Sequence, residues 1–287
     1  MCESLHGELI AVFRRSFYVR FGASAVCFGS SGLGHAPLNV LCRMPDTLSW
    51  NDQLANGTTA TRDGAVLLIG RRLRFDFSRA TLWQAPIATG VSVPIIRAGL
   101  SRLTMAVRRH SPAGLGKLLA VPLAPVNLCG EATSDLLLRS ATPIIAALSE
   151  WIAAALGGSL RPPPAIAELI GLGPGLTPSG DDFLCGAMAA LHYLGHNAVA
   201  RLLAEHVLSA AANATNFISA SYLRWAAAGE VSEVLFDVLR SIASGGDELD
   251  ACLDVVDGVG HTSGWDTLTG AAVVCAALCA AKQTHSS

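Results

Sequence analysis

Two hydrophobic periodicities divide the chain. Over roughly the first 125 residues, apolar and polar positions alternate with the period of strands that bury one face. The clearest case is Ala65–Phe77, AVLLIGRRLRFDF, where Leu73, Phe75 and Phe77 share one side and Arg74 and Asp76 the other. Leu9–Phe21, with Val, Phe and Tyr between arginines, also reads as strand. Gly22, the GSSGLGH stretch from Gly29 to His35, Asn56-Gly57 and Asp63-Gly64 supply turns between such runs. One helix is expected to interrupt this region over about 97–109. From Ser134 the period becomes helical, first over 134–156 with Pro143 as a kink. A GGSLRPPP loop at 157–164 follows, then helical segments over 181–194, 198–214, 217–228, 232–244 and 248–256, and a last one from near Trp265. Gly195, Gly229 and Gly245 stand where helices should stop. The expected class is α+β, with a β-rich N-terminal domain over 1–128 and an all-helical domain over 129–287.

Composition narrows this further. The chain of 287 residues is 51% hydrophobic and 15% charged, which favours a folded protein over a disordered one. A net charge of −2 leaves no basic field to attract nucleic acid, so no nucleic-acid partner is expected. Mean hydropathy is high, at +0.45. The longest apolar run, near 271–281, is shorter than the ~20 residues a membrane span needs. The expectation is therefore no membrane span, but buried Ala-rich helices or an apolar interface between subunits. The N-terminus has no basic-then-apolar leader, and the eight cysteines form no C-x-x-C pair, which points to a reducing cytoplasm. Cys275 and Cys279, four apart, are too little for a metal site.

The candidate chemistry lies in GLGPGLTPSGDDFLCGAMAAL, Gly171–Leu191. Its first ten residues hold four glycines and two prolines, and two aspartates then open a helix. Ser179-Gly-Asp-Asp182 matches a capping box, and acidic residues suit a helix N-terminus in any case. Capping alone does not call for the loop ahead of it. Bare backbone at Gly173, Gly175 and Gly180, with Thr177 and Ser179, lets amides approach an anion at a helix start. Two carboxylates there would repel a bare anion. The conflict resolves if Mg²⁺, held by Asp181 and Asp182, lies between carboxylate and phosphate. It also resolves if the carboxylates hold an N–H-bearing group while the amides hold an oxyanion. The loop lacks the Gly-Lys-Ser/Thr of a Walker loop, and no clear strand precedes it as a Rossmann fingerprint requires.

A second passage, GHTSGWDTLTGAAVVCAAL from Gly260, repeats the pattern once Pro178 is skipped. Gly175 aligns with Gly260, Thr177 with Thr262, Ser179 with Ser263, Gly180 with Gly264, Asp182 with Asp266, Gly186 with Gly270 and Ala187 with Ala271. Asp182 and Gly186 are four apart and share a helix face, as do Asp266 and Gly270. Two helices crossing at those glycines would bring both aspartates to one site. Trp265 replaces the second aspartate, so the site would be asymmetric. Asp181, Asp182 and Asp266 are the candidate catalytic groups. His261, beside the second loop, is a candidate acid or base, and His192 reads as packing. The polar NATNFISAS stretch adds Thr215, Asn216 and Ser219 as candidate ligands, although a helix N-cap at Thr215 or Asn216 explains them as well. Ser263, Gly264 and Trp265 complete the binding set.

These motifs resemble a family. G-L-T-P-S-G-D-D-F-L-x-G at Gly175–Gly186, G-H-x-S-G-W-D-x-L-x-G at Gly260–Gly270 and I-S-x-x-Y-L-x-x-A-x-x-G at Ile218–Gly229 are similar to the bacterial AllH-like family. The N-terminal half is similar only in outline, including V-N-L at Val126–Leu128. The resemblance implies a subunit of an oxamate carbamoyltransferase, which joins carbamoyl phosphate and oxamate reversibly to give oxalurate and phosphate in allantoin breakdown. It implies a small anionic substrate, and as partners either other subunits or further copies of the chain. The alternatives are a non-catalytic ligand-binding subunit and a carboxylase-like or acyl-transfer enzyme.

Overall fold

The computed structural model describes residues 5–43, 49–71, 73–86, 92–121, 123 and 135–282. The chain forms two compact units, Met1–Gln84 and Ala85–Ser287.

The first unit is one curled sheet of seven strands: β1 Leu5–Val12, β2 Ser16–Phe21, β3 Ser24–Ser30, β4 Asn39–Cys42, β5 Thr59–Asp63, β6 Val66–Ile69 and β7 Leu73–Asp76. Their order is β4-β3-β2-β1-β5-β6-β7, antiparallel throughout except for the parallel β3–β4 pair. Gly22 and Gly64 each open a two-residue hairpin turn at φ 56°, a backbone that suits glycine. The continuous Leu9–Phe21 run is in fact two strands. Its turn, closed by Phe13 N–H on Ser16 O at 2.8 Å, carries Phe and two arginines in place of Gly or Pro. Leu9, Phe17, Val19, Phe28, Trp50 and Leu67 form the core, with Phe17 stacked on Phe28 at 5.1 Å. Leu73, Phe75 and Phe77 pack against it while Arg74 and Asp76 face out, as the alternation requires.

The second unit is helical: α1 Val93–Val107, a 3-10 segment Gly114–Ala120, α2 Leu136–Leu156, α3 Ser179–Tyr193, α4 Asn197–Ala214, α5 Phe217–Ala226, α6 Glu233–Ala243, α7 Leu249–Val256 and α8 Ser263–Ala281. The molecule is thus α+β, with its strands N-terminal and its helices C-terminal. The sequence pattern places the boundary at 128/129, which lies outside the described residues; the contacts divide the chain at 84/85. The cause is α1, which packs into the helical unit: a Cβ on Gly99 would meet Ile242 O at 2.2 Å. Gly195, Gly229 and Gly245 take positive φ just past α3, α5 and α6, as helix-stopping glycines do.

α8 is the central helix, packed by α3, α2, α1 and the 3-10 segment. That surround explains a sequence apolar on every side. By length and composition α2 and α8 could each cross a membrane, longer than the short apolar run alone implies. For α8, 78% of the apolar window is buried inside the protein, as befits a core helix.

Candidate functional site

α3 and α8 make the most extensive helix pair in the molecule and meet through their glycines. A Cβ on Gly186 would lie 1.8 Å from Thr267 O, and one on Gly270 would lie 1.9 Å from Phe183 O. The contacts are reciprocal, since Thr267 occupies in α8 the place Phe183 occupies in α3. Backbone therefore rests on backbone at the crossing, and the two N-termini come together. The hydroxyls of Thr177 and Ser263 bond each other across the gap at 2.8 Å.

Asp182 and Asp266 are buried at this junction. Burial pushes the Asp182 carboxyl well above its ordinary range. The Ser263 hydroxyl, from the opposite helix, pulls the other way, the Asp266 charge adds to the rise, and Thr177 opposes it again. Burial likewise raises Asp266, while Thr262, the Leu115 amide and the Ser179 hydroxyl of the opposite helix act against the rise. Each helix thus turns its opening serine towards the other's aspartate. Three side-chain oxygens here are buried without a hydrogen-bond partner among the described residues: Ser179 Oγ, Asp182 Oδ2 and Asp266 Oδ2. Such atoms are costly to leave unmatched, and their grouping, with Ser179 turned towards Asp266, makes this junction the candidate binding point.

The capping-box role is not what the geometry shows. α3 begins at Ser179 itself, its N-cap is Pro178, and no side chain caps it. Asp181 has a different task from Asp182. Its Oδ1 accepts from Gly171 N–H at 2.7 Å, and its Oδ2 accepts from Ser219 Oγ at 2.6 Å and from Thr215 Oγ1. Asn216 caps α5 by accepting from the amides of Ile218 and Ser219, and its Nδ2 donates to Leu176 O at 2.7 Å. The polar 213–221 stretch is therefore a clasp that holds the glycine loop against α3, with Thr215, Asn216 and Ser219 occupied in that work.

The remaining candidates divide. Gly173, at φ 114°, covers Ser179, and Gly260, at φ 61°, covers Ser263. Gly175, at φ 99°, has open space above it. Gly180 and Gly264 sit tight against the carbonyls of Leu169 and Val256, and their amides are spent on Leu172 O and Val259 O. His261 is exposed. Trp265 is buried, with its indole N–H donated to Asp257 at 2.9 Å.

The 110–116 segment is an unforeseen third wall. Leu115 N–H donates to Asp266 Oδ1 at 2.6 Å. A Cβ on Gly114 would meet that same oxygen at 2.3 Å, and one on Gly116 would meet Trp265 Cβ at 2.6 Å. His110, at the head of the segment, pairs with Asp257. The Ser111–Gly116 text, SPAGLG, repeats the Gly-Leu-Gly of the main loop, but it lies in a region that reads as β-rich. A separate surface hollow of about 180 Å³ between α1 and α7 is flanked by Arg102 and Arg109, which pair with Asp247 and Asp250.

Fold and site together define a helical unit with a buried, pseudo-symmetric carboxylate pair. Residues 169–275 match the family model described as oxamate carbamoyltransferase subunit AllH, a span that takes in both loops and the helices between them. The family resemblance of the two motifs is thereby borne out over that segment. No solved structure matches the chain.

Proposed function

We propose that the chain is a subunit of an oxamate carbamoyltransferase-like enzyme and holds a small substrate between the first turns of α3 and α8. The observation that carries this is the convergence of Ser179 Oγ, Asp182 Oδ2 and Asp266 Oδ2, buried and unpartnered, within a segment that matches the AllH model. Carbamoyl phosphate and oxamate each carry an NH₂ group and an anionic end. Carboxylate oxygens accept from the first, and helix N-termini favour the second. Transfer of the carbamoyl group then depends on holding the two reactants in line and on stabilising the charge of the leaving phosphate. Gly175, with open space above its backbone, lets the anionic end approach the loop.

Mg²⁺ fits this donor set poorly. Among the described residues no three His, Cys, Asp or Glu side chains group as metal ligands. Asp181 is taken up by three protein donors, and two helix N-termini oppose a cation. No step is routed through a metal. The unbridged cysteines, among them Cys27, Cys185 and Cys275, suit the reducing cytoplasm in which we place the protein. Co-expression with the products of neighbouring genes, followed by an assay for phosphate-dependent loss of oxalurate, tests the reading. Turnover that falls at least tenfold in Asp182→Asn supports it. An assembly that binds oxamate without turning over in any combination would favour a non-catalytic binding subunit.

A further inference from the structure

Two of the unpartnered oxygens at the α3–α8 junction belong to carboxyls, Asp182 Oδ2 and Asp266 Oδ2. Asp266 is fully buried and Asp182 is 7% exposed. Among the described residues neither enters an ion pair. The charges that bear on Asp182 are those of Asp266, from the opposite helix, and Asp181 beside it, both negative. The thiol of Cys185, on the same helix, is pushed up by burial and then by both α3 aspartates, so it stays neutral. Asp181 has its own three donors. Two carboxyls that repel in a buried place, with no cation between them, do not both ionise; the pair holds a proton.

The neighbouring donors decide where that proton sits. Asp266 Oδ1 takes the Leu115 N–H at 2.6 Å, and a backbone amide can only donate, so its partner must accept. Asp182 is met by the hydroxyls of Ser263 and Thr177. Those two bond each other at 2.8 Å, so one of their two protons is used between them. A hydroxyl can also turn and accept, which suits a carboxylic acid. Both aspartates stand in the first turn of their helices, so the helix dipoles favour the two charges alike and do not choose between them. The fixed N–H at Asp266 does choose: it keeps Asp266 ionised and leaves the proton to Asp182.

We infer that Asp182 as an acid and Asp266 as a carboxylate together read a carbamoyl group, –CO–NH₂. The Asp182 O–H donates to the carbonyl oxygen, and Asp266 Oδ2 accepts from the NH₂. Ser179 Oγ, turned towards Asp266, offers a lone pair to the second N–H. For its ligand the inference rests on the carbamoyl-transfer reading. A primary amide presents an acceptor beside donors, the complement of an acid beside a carboxylate. Oxamate, carbamoyl phosphate and oxalurate all carry that group, whereas a carboxylate would set a further negative charge against Asp266. During transfer the carbonyl oxygen gains negative charge, and the hydrogen bond from the acid strengthens with it.

Two measurements on the full chain test this. With isotope-labelled aspartate, the infrared spectrum at neutral pH should show one protonated carboxyl, and Asp182→Asn should remove it. In calorimetric titrations, wild type should bind oxamate at least about 100-fold more tightly than oxalate, its isostere with a carboxylate in place of the amide. Oxamate affinity should fall as pH rises through the folded value of Asp182, where the proton is lost. Asp182→Asn, whose NH₂ donates at any pH, should bind oxamate within about threefold of wild type without that pH dependence. Its turnover should still fall, because an amide N–H is a weaker donor to a developing oxyanion. No protonated carboxyl at neutral pH, one that survives Asp182→Asn, or oxalate bound as tightly as oxamate would overturn the inference, while oxalurate consumption would leave the functional reading standing. If the assembled enzyme consumes no oxalurate and the chain does not bind oxamate, the functional reading falls and takes the carbamoyl reader with it.

Discussion

Two adjacent aspartates have opposite relations to stability. Asp181 satisfies three donors, so Asp181→Asn turns an amide NH₂ toward them and should cost about 1–3 kcal/mol. Asp182 leaves one oxygen unmatched, and burial raises its carboxyl. A raised carboxyl means the folded state binds the proton more tightly than the unfolded chain does. That contribution is present below the unfolded value of 3.8 and is lost as pH rises through the folded value. Asp182→Asn should therefore hold or gain stability at neutral pH and flatten the decline on the alkaline side of 3.8. Urea titrations of wild type and both variants across pH check this; a larger loss in Asp182→Asn than in Asp181→Asn would contradict it. The candidacy of Asp182 and Asp266 is legible in the sequence because the motif repeats. The role of Asp181 is not, because its partners Thr215 and Ser219 lie far along the chain and only folding joins them. Leu115 carries no motif, and its amide reaches Asp266 only because the segment after α1 folds against the start of α8.

Among the elements, the α3–α8 crossing is the feature on which the site depends. Glycine inside a helix ordinarily yields up to ~1 kcal/mol when replaced by Ala. Here a methyl on Gly186 or Gly270 would enter a backbone carbonyl of the partner helix. Each Ala variant should instead lose about 1–3 kcal/mol through forced separation. The double variant should lose less than the sum, because both changes open the same contact. Thermal or urea unfolding of the two singles and the double gives the result, and a rise in melting temperature for either single would refute the crossing. The helices and their glycine stops were readable from periodicity, because each helix has its own start and end signals. The β1–β2 turn was not, since Phe13-Arg14-Arg15 contains none of the residues that mark turns. Nor was the membership of α1, which is decided by the fit of Gly99 against α6 and not by any local pattern.

At the scale of the whole molecule, every group assigned to the site lies within Ala85–Ser287. That unit expressed alone should fold and keep the melting-temperature rise that oxamate or phosphate gives the full chain; aggregation or loss of the rise would show that the N-terminal sheet is needed for binding. The central claim is that the buried carboxylates at the paired N-termini of α3 and α8 serve carbamoyl transfer. The most direct measurement is phosphate-dependent consumption of oxalurate by the assembled enzyme, comparing wild type with Asp182→Asn and Asp266→Asn at equal folded concentration. The account predicts activity in wild type and a loss of at least tenfold in each variant, about 1.4 kcal/mol of transition-state stabilisation. Full activity in both folded variants would contradict it.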